Sequence, residues 1–134
     1  MPVTATETVP IRSEQDIVFG RQVVRRLAQQ LQFSLADQTK IVTAASELAR
    51  NTLIYGGGGS MRWETLSEGL RVGLRLSFED QGPGIPNLAL AMTDGWTSGS
   101  GLGKGLPGTR RLVNDFDIQT APGKGTRVTV ARWK

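Results

Sequence analysis

Two groups of residues carry the chemical possibilities of this sequence. In the first, Glu47 and Asn51 stand four apart in the run Ser-Glu-Leu-Ala-Arg-Asn. On a helix, residues four apart lie on one side, one turn above the other. A carboxylate and a carboxamide so placed could supply a general base and a metal ligand. They could equally form a local contact on a solvated helix face. The second group runs from Asp80 to Gly108 and holds eight of the chain's 17 glycines. Glycine is entropically costly to order, so this density calls for positive φ or close approach of the backbone to a ligand. Glycine turns that open a helix cradle phosphate with main-chain N–H groups. A flexible loop is the plainer alternative. The glycines fall in two clusters, each abutting a strand-like or helix-like run, which favours a nucleotide site.

Composition narrows the chemistry. The chain has no cysteine and no histidine. Thiol nucleophiles, thiolate or imidazole metal sites and Ser-His-Asp catalysis are thereby excluded. Any proton transfer falls to a carboxylate or a lysine. At 134 residues the chain is read as a single domain, residues 1–134, large enough for a real core. The N-terminus lacks the basic and apolar regions of a signal peptide, and no apolar run reaches the length of a membrane span. The expectation is a cytoplasmic protein without a membrane partner. The net charge is +4, but the basic residues are dispersed and not interleaved with aromatics, so a nucleic-acid partner is not expected.

The positioning elements follow from periodicity. Residues 6–11 read as a strand, with Pro10 suggesting an edge. Ser13 caps a helix to about residue 32, with Asp16 in a carboxylate variant of the capping box. A second helix starts at Ser34 or Asp37 and runs to about Tyr55, placing Ile41, Ala44, Ala45, Leu48 and Thr52 on a core stripe. Four glycines, 56–59, end it; they imply a mobile turn or a close backbone approach. Strands are expected over 61–66 and 70–79. In the second, Leu70, Val72, Leu74, Leu76 and Phe78 alternate with polar residues and deliver Asp80 to the strand's end. A short helix over 87–92, a helix over 105–115 and a hairpin of strands 116–120 and 126–133 complete the chain. This order predicts an α+β fold: a two-layer sandwich, a mixed, mostly antiparallel sheet with helices packed on one face.

Common nucleotide motifs do not fit. A P-loop requires Gly-x4-Gly-Lys-Ser/Thr, whereas Gly103-Lys104 is followed by Gly105 and preceded at the required spacing by Ser98. Gly103, Gly105 and Gly108 match a dinucleotide fingerprint literally, but no apolar strand precedes them.

Four segments, in order, resemble the boxes of the GHKL ATPase superfamily, the Bergerat fold. They are Glu47 to Asn51, Asp80-Gln-Gly-Pro-Gly84, Gly99-Ser-Gly-Leu-Gly-Lys-Gly-Leu106 and Gly125-Thr126. Within the superfamily the chain is similar to bacterial serine/threonine kinases of stressosome-like partner switching, which act on STAS-domain scaffold or antagonist proteins. Anti-sigma factor kinases are the nearest competitors. A histidine kinase does not fit a chain without histidine or a phosphoacceptor helix pair.

The resemblance implies ATP and Mg²⁺ as cofactors, with Asn51 ligating the metal and Glu47 accepting the proton of a serine or threonine hydroxyl. It implies that Asp80 hydrogen-bonds the adenine amino group, that Gly82 and Gly84 let the base approach, and that the Thr126 hydroxyl supports Asp80. Gly99, Gly101, Gly103 and Gly105 would wrap the phosphates, and the run between Gly84 and Gly99 would act as a lid. Lys104 departs from the family pattern; it either reaches a phosphate or is a solvent-exposed lid lysine. A STAS-domain protein is the implied partner, with a partner phosphatase or, in the alternative, a sigma factor.

Overall fold

A computed structural model describes residues 3–85, 87–92 and 106–134. The elements are β1 (Val3–Ile11), α1 (Glu14–Gln30), α2 (Leu35–Ile54), β2 (Gly59–Glu68), β3 (Arg71–Asp80), α3 (Leu88–Ala91), α4 (Leu106–Arg111), β4 (Asp115–Thr120) and β5 (Thr126–Trp133). The strands form one sheet in the order β1-β2-β3-β5-β4. All four pairings are antiparallel. The helices cover one face, as expected from the strand and helix order.

Both long helices begin where a serine can cap them. Ser13 Oγ accepts from the Asp16 amide at 3.1 Å, and Asp16 returns a carboxylate oxygen to the Arg12 amide at 2.8 Å. Ser34 Oγ accepts from the Asp37 amide at 3.1 Å, so α2 starts at Ser34 and not at Asp37. These caps satisfy amides that the helix itself leaves unpaired. The helices turn their apolar stripes to the sheet and to each other, and Val24, Ile41, Leu48, Leu74, Leu76 and Val130 are fully enclosed between the layers. The opposite face of the sheet is polar. There Glu64 receives Arg75 Nε at 2.7 Å, and Glu79 receives Arg127 at 2.6 Å. At one end of that face Trp133 lies over Gly73, with Arg71 4.2 Å from its ring centroid.

Several boundaries differ from expectation for local reasons. β1 starts at Val3 because it pairs along nearly the whole of β2. Leu70 leaves the apolar series: it sits in the turn beside Gly69 and is fully exposed. α4 ends at Arg111, where the Leu112 amide closes a tight turn on the Thr109 carbonyl and Asn114 joins β5 through the Ala131 carbonyl.

The sheet's register sets up the site. Ile11, Gly59, Asp80, Thr126 and Thr120 are successive cross-strand partners, one from each strand. They form a row along one end of the sheet, on the face that the helices cover, because side chains directly opposite share a face.

Candidate functional site

The row meets the C-terminal half of α2 across a cavity of about 460 Å³, mouth included. Leu48, Asn51, Thr52 and Tyr55 face it from α2, at the spacing of one helix side. Phe78, Ile85, Leu106 and Val128 supply apolar walls, and Gly56 and Gly84 supply bare backbone. Polar groups are few. Thr52 returns its hydroxyl to the Leu48 carbonyl at 2.8 Å, so it is spent within its own helix. Asn51 and Asp80 remain as the side chains with a carboxamide and a carboxylate at the cavity.

Asp80 is half-buried at the end of β3, held from two sides. Its Oδ1 accepts from the Gly82 amide at 2.9 Å. On the other side it lies against Gly56: a Cβ there would stand 2.5 Å from Oδ2, which no real side chain tolerates. The four-glycine turn after α2 is therefore a close approach at Gly56, where the sequence left two readings open. Burial pushes the Asp80 carboxyl above its ordinary range; the Gly82 and Thr126 amides draw it back, and Glu79 adds a small push upward. The result is an acceptor with its geometry fixed at the bottom of an apolar slot.

The segment after Asp80 is stapled to the β4–β5 hairpin. The Ile85 amide donates to Thr120 Oγ at 2.9 Å, and the Gly123 amide donates to the Pro83 carbonyl at 2.7 Å. Gly84 has a φ of 76° and sits against the Ala121 carbonyl, so both its conformation and its surroundings require glycine. The Thr126 hydroxyl lies 3.0 Å from that of Thr120, and the backbone amide of Thr126 faces the Asp80 carboxylate.

Asn51, Asp80, Gly84 and Thr126 thus come together at one cavity, and Gly82 holds Asp80 from behind. Glu47 is one turn before Asn51 on α2, solvent-exposed and outside the cavity wall. Gly99, Gly101, Gly103, Lys104 and Gly105 lie outside the described residues, as does half of the expected lid. Gly56 and Thr120 were not singled out by sequence. The glycine run around Gly56 was visible but did not say which glycine mattered, and Thr120 looked like any strand threonine.

Residues 36–134 match the family described as histidine kinase-, DNA gyrase B- and HSP90-like ATPases. The chain belongs to this ATPase family. The matched range of the HSP90-like ATPase domain starts in the first turn of α2 and includes every residue of the cavity. Individual relatives extend further. The serine/threonine-protein kinase RsbT of Bacillus subtilis is 43% identical over 125 residues, covering 93% of this chain and 94% of its own. An anti-sigma F factor of Clostridium kluyveri is 30% identical over 128 residues, covering 91% and 89%. A crystal structure of the RsbU and RsbW domains of a Mycobacterium tuberculosis protein superposes with a TM-score of 0.63 at 19% identity. It covers 96% of this chain, which spans 32% of that longer one, and it shows the likeness of fold. Among the described residues no helix is long and apolar enough to cross a membrane.

Proposed function

We propose that this chain is an ATP-dependent protein serine/threonine kinase. The observation that carries the reading is the acceptor-lined end of the cavity, where an Asp80 carboxylate seated on Gly56 faces an apolar slot. A flat base that presents an exocyclic amino group suits such a slot; a keto group at the same place would oppose the carboxylate. The 43% identity to a named serine/threonine-protein kinase supports the activity.

In this reading adenine lies between Ile85, Val128 and the α2 wall, with its amino group on Asp80 and with Gly82, Gly84 and Thr126 around it. The phosphates extend past Asn51, and Gly99, Gly101, Gly103 and Gly105 are the residues proposed to wrap them, with Lys104 either a phosphate contact or a lid lysine. Asn51 fits as a ligand of Mg²⁺: its residue lines the cavity, its carboxamide carries an oxygen donor, and no acidic cluster stands beside it among the described residues. Mg²⁺ usually takes few protein ligands and completes its shell with phosphate and water. The metal would neutralise charge on the phosphates.

Glu47 is the base. It accepts the proton of the attacking hydroxyl as that oxygen bonds to the γ-phosphorus, and the bond to the leaving ADP oxygen breaks. Its exposure suits a hydroxyl brought by another protein. The substrate class is a STAS-domain scaffold or antagonist in a cytoplasmic, stressosome-like switch, with a phosphatase as the partner of the released kinase. A second reading, an anti-sigma factor with kinase activity, is favoured by the several relatives of that name.

Calorimetric titration with ATP and GTP, with and without Mg²⁺, tests the nucleotide; equal affinity for both bases refutes the site. Glu47→Gln is expected to keep ATP affinity within about twofold and to lower phosphate transfer to a STAS-domain protein at least ~100-fold. Transfer at the wild-type rate removes Glu47 from the base role. Co-purification with a STAS protein or with a sigma factor separates the two readings.

A further inference from the structure

We infer that Thr120 is a positioning residue that fixes the Thr126 hydroxyl as a hydrogen-bond acceptor, making the base end of the cavity acceptor-only and thereby selective for a 6-amino purine. The inference rests on the proposed ATP site and adds a determinant outside its four sequence boxes.

The argument is a count of protons. Thr120 Oγ makes three contacts. The Ile85 amide reaches it at 2.9 Å, the Gly125 carbonyl lies 3.1 Å away, and the Thr126 hydroxyl oxygen lies 3.0 Å away. A hydroxyl has one proton and two lone pairs. The amide can only donate and the carbonyl can only accept. Thr120 must therefore accept from Ile85 and give its single proton to Gly125. One lone pair remains, and the contact with Thr126 is a hydrogen bond only if Thr126 is the donor. That is the one assignment that satisfies all three contacts.

Thr126 then has no proton left for a ligand. Its oxygen, on a residue that lines the cavity, can only accept. Its cross-strand neighbour Asp80 can also only accept when ionised. The two oxygens form an acceptor pair in the row. An amino group carries two N–H donors and satisfies such a pair. A 6-keto purine in the same pose presents O6 lone pairs to both oxygens, and neither can turn to help; its N1–H reaches one of them only if the base shifts. Asp80 provides the charge; Thr120 removes the escape by which a free threonine hydroxyl would rotate and donate.

The same atom ties the post-Asp80 segment to the hairpin through Ile85, so a purely architectural role must be told apart from the wiring. ATP and inosine triphosphate, which differ in the 6-substituent and in the proton the keto form carries on N1, are the probes, with Mg²⁺ present, by calorimetry. Wild type is expected to prefer ATP by roughly 100-fold or more, since unpaired buried polar groups discriminate strongly. Thr120→Val frees the Thr126 hydroxyl and is expected to cut that ratio at least about tenfold, whereas Thr120→Ser retains it. In a Thr126→Val background, Thr120→Val is expected to leave the ratio within about twofold, because the group it acts through is gone. A Thr120→Val protein that keeps the wild-type ratio overturns the inference while leaving the ATP site intact. So does a Thr120→Ser protein that loses it, or a double variant whose ratio falls well below that of Thr126→Val. If Thr120→Val does not fold, the serine variant and the ratio of Thr126→Val decide: an unchanged ratio in Thr126→Val refutes the wiring. Wild-type protein that binds neither nucleotide overturns the proposed function and the inference together.

Discussion

At the scale of single residues the site depends on what is missing as much as on what is present. Asp80 holds its place because Gly56 has no side chain. Gly56→Ala puts a Cβ into the carboxylate, and either Asp80 or the turn must move. The expected result is a loss of nucleotide affinity of at least ~10-fold, because misplacement of a contact group by about an ångström is costly. Circular dichroism should show the helices unchanged. Asp80 also carries a cost when no ligand is bound. Burial raises its carboxyl above the unfolded value. The folded state is therefore favoured where the group is protonated, below its unfolded pKa, and that advantage is lost as pH rises through the folded value. Asp80→Asn is expected to stabilise ligand-free protein at pH 7 by about 0.5–1 kcal/mol, a gain that shrinks on acidification, while nucleotide binding weakens. Thermal melts at pH 7 and pH 4, together with calorimetry, check both halves. Asp80 and Asn51 were legible because a strand's end and a helix side are periodic features. Gly56 and Thr120 were not: Gly56 matters through Asp80 and Thr120 joins Ile85, 35 residues away, to Thr126, and no local pattern encodes either meeting.

Elements are joined to each other by fewer polar links, and one stands out. Arg132, on the helix-covered side of β5, reaches Asp37 in the first turn of α2 at 2.6 Å and the Leu112 carbonyl at 2.9 Å. Pairing beside Leu74 fixes it on the covered side. The guanidinium hydrogen bond holds the Asp37 carboxyl below its usual value. A depressed carboxyl contributes stability above its unfolded pKa and loses it as pH falls through the folded one. Arg132→Met is expected to cost about 1.5–3 kcal/mol at pH 7, the range for charged hydrogen bonds. It should also flatten the acid side of the stability profile below about pH 4. Urea denaturation across pH measures both. Glu64, depressed by Arg75, adds to the same acid limb from the open face of the sheet. The Glu14–Arg50 pair, exposed and 3.7 Å apart, adds little.

For the whole molecule, sequence was most informative about architecture. Alternation in β3 and the apolar stripes of α1 and α2 each point to one covered sheet face, and they agree with one another. Strand order was not legible. Nothing local to residues 126–133 says that they enter between β3 and β4, because that choice is made by apolar partners such as Leu76 and Phe78 across the sheet. The polar face was half-visible: Arg75 and Glu79 alternated as expected, but their partners Glu64 and Arg127 could be assigned only once the register was known.

That insertion has a consequence for how the molecule is made. β5 comes after the other four strands in chain order, yet it is neighbour to both β3 and β4 and carries Thr126 and Val128 to the cavity. Until it arrives, β4 has no strand to pair with and Asp80 has no neighbour on that side. A growing chain can fold its helices early but cannot assemble the pocket. Closure of the pocket therefore waits on β5, which follows every other cavity-lining element in chain order, so a chain that stops short of it lacks one wall of the site by topology alone.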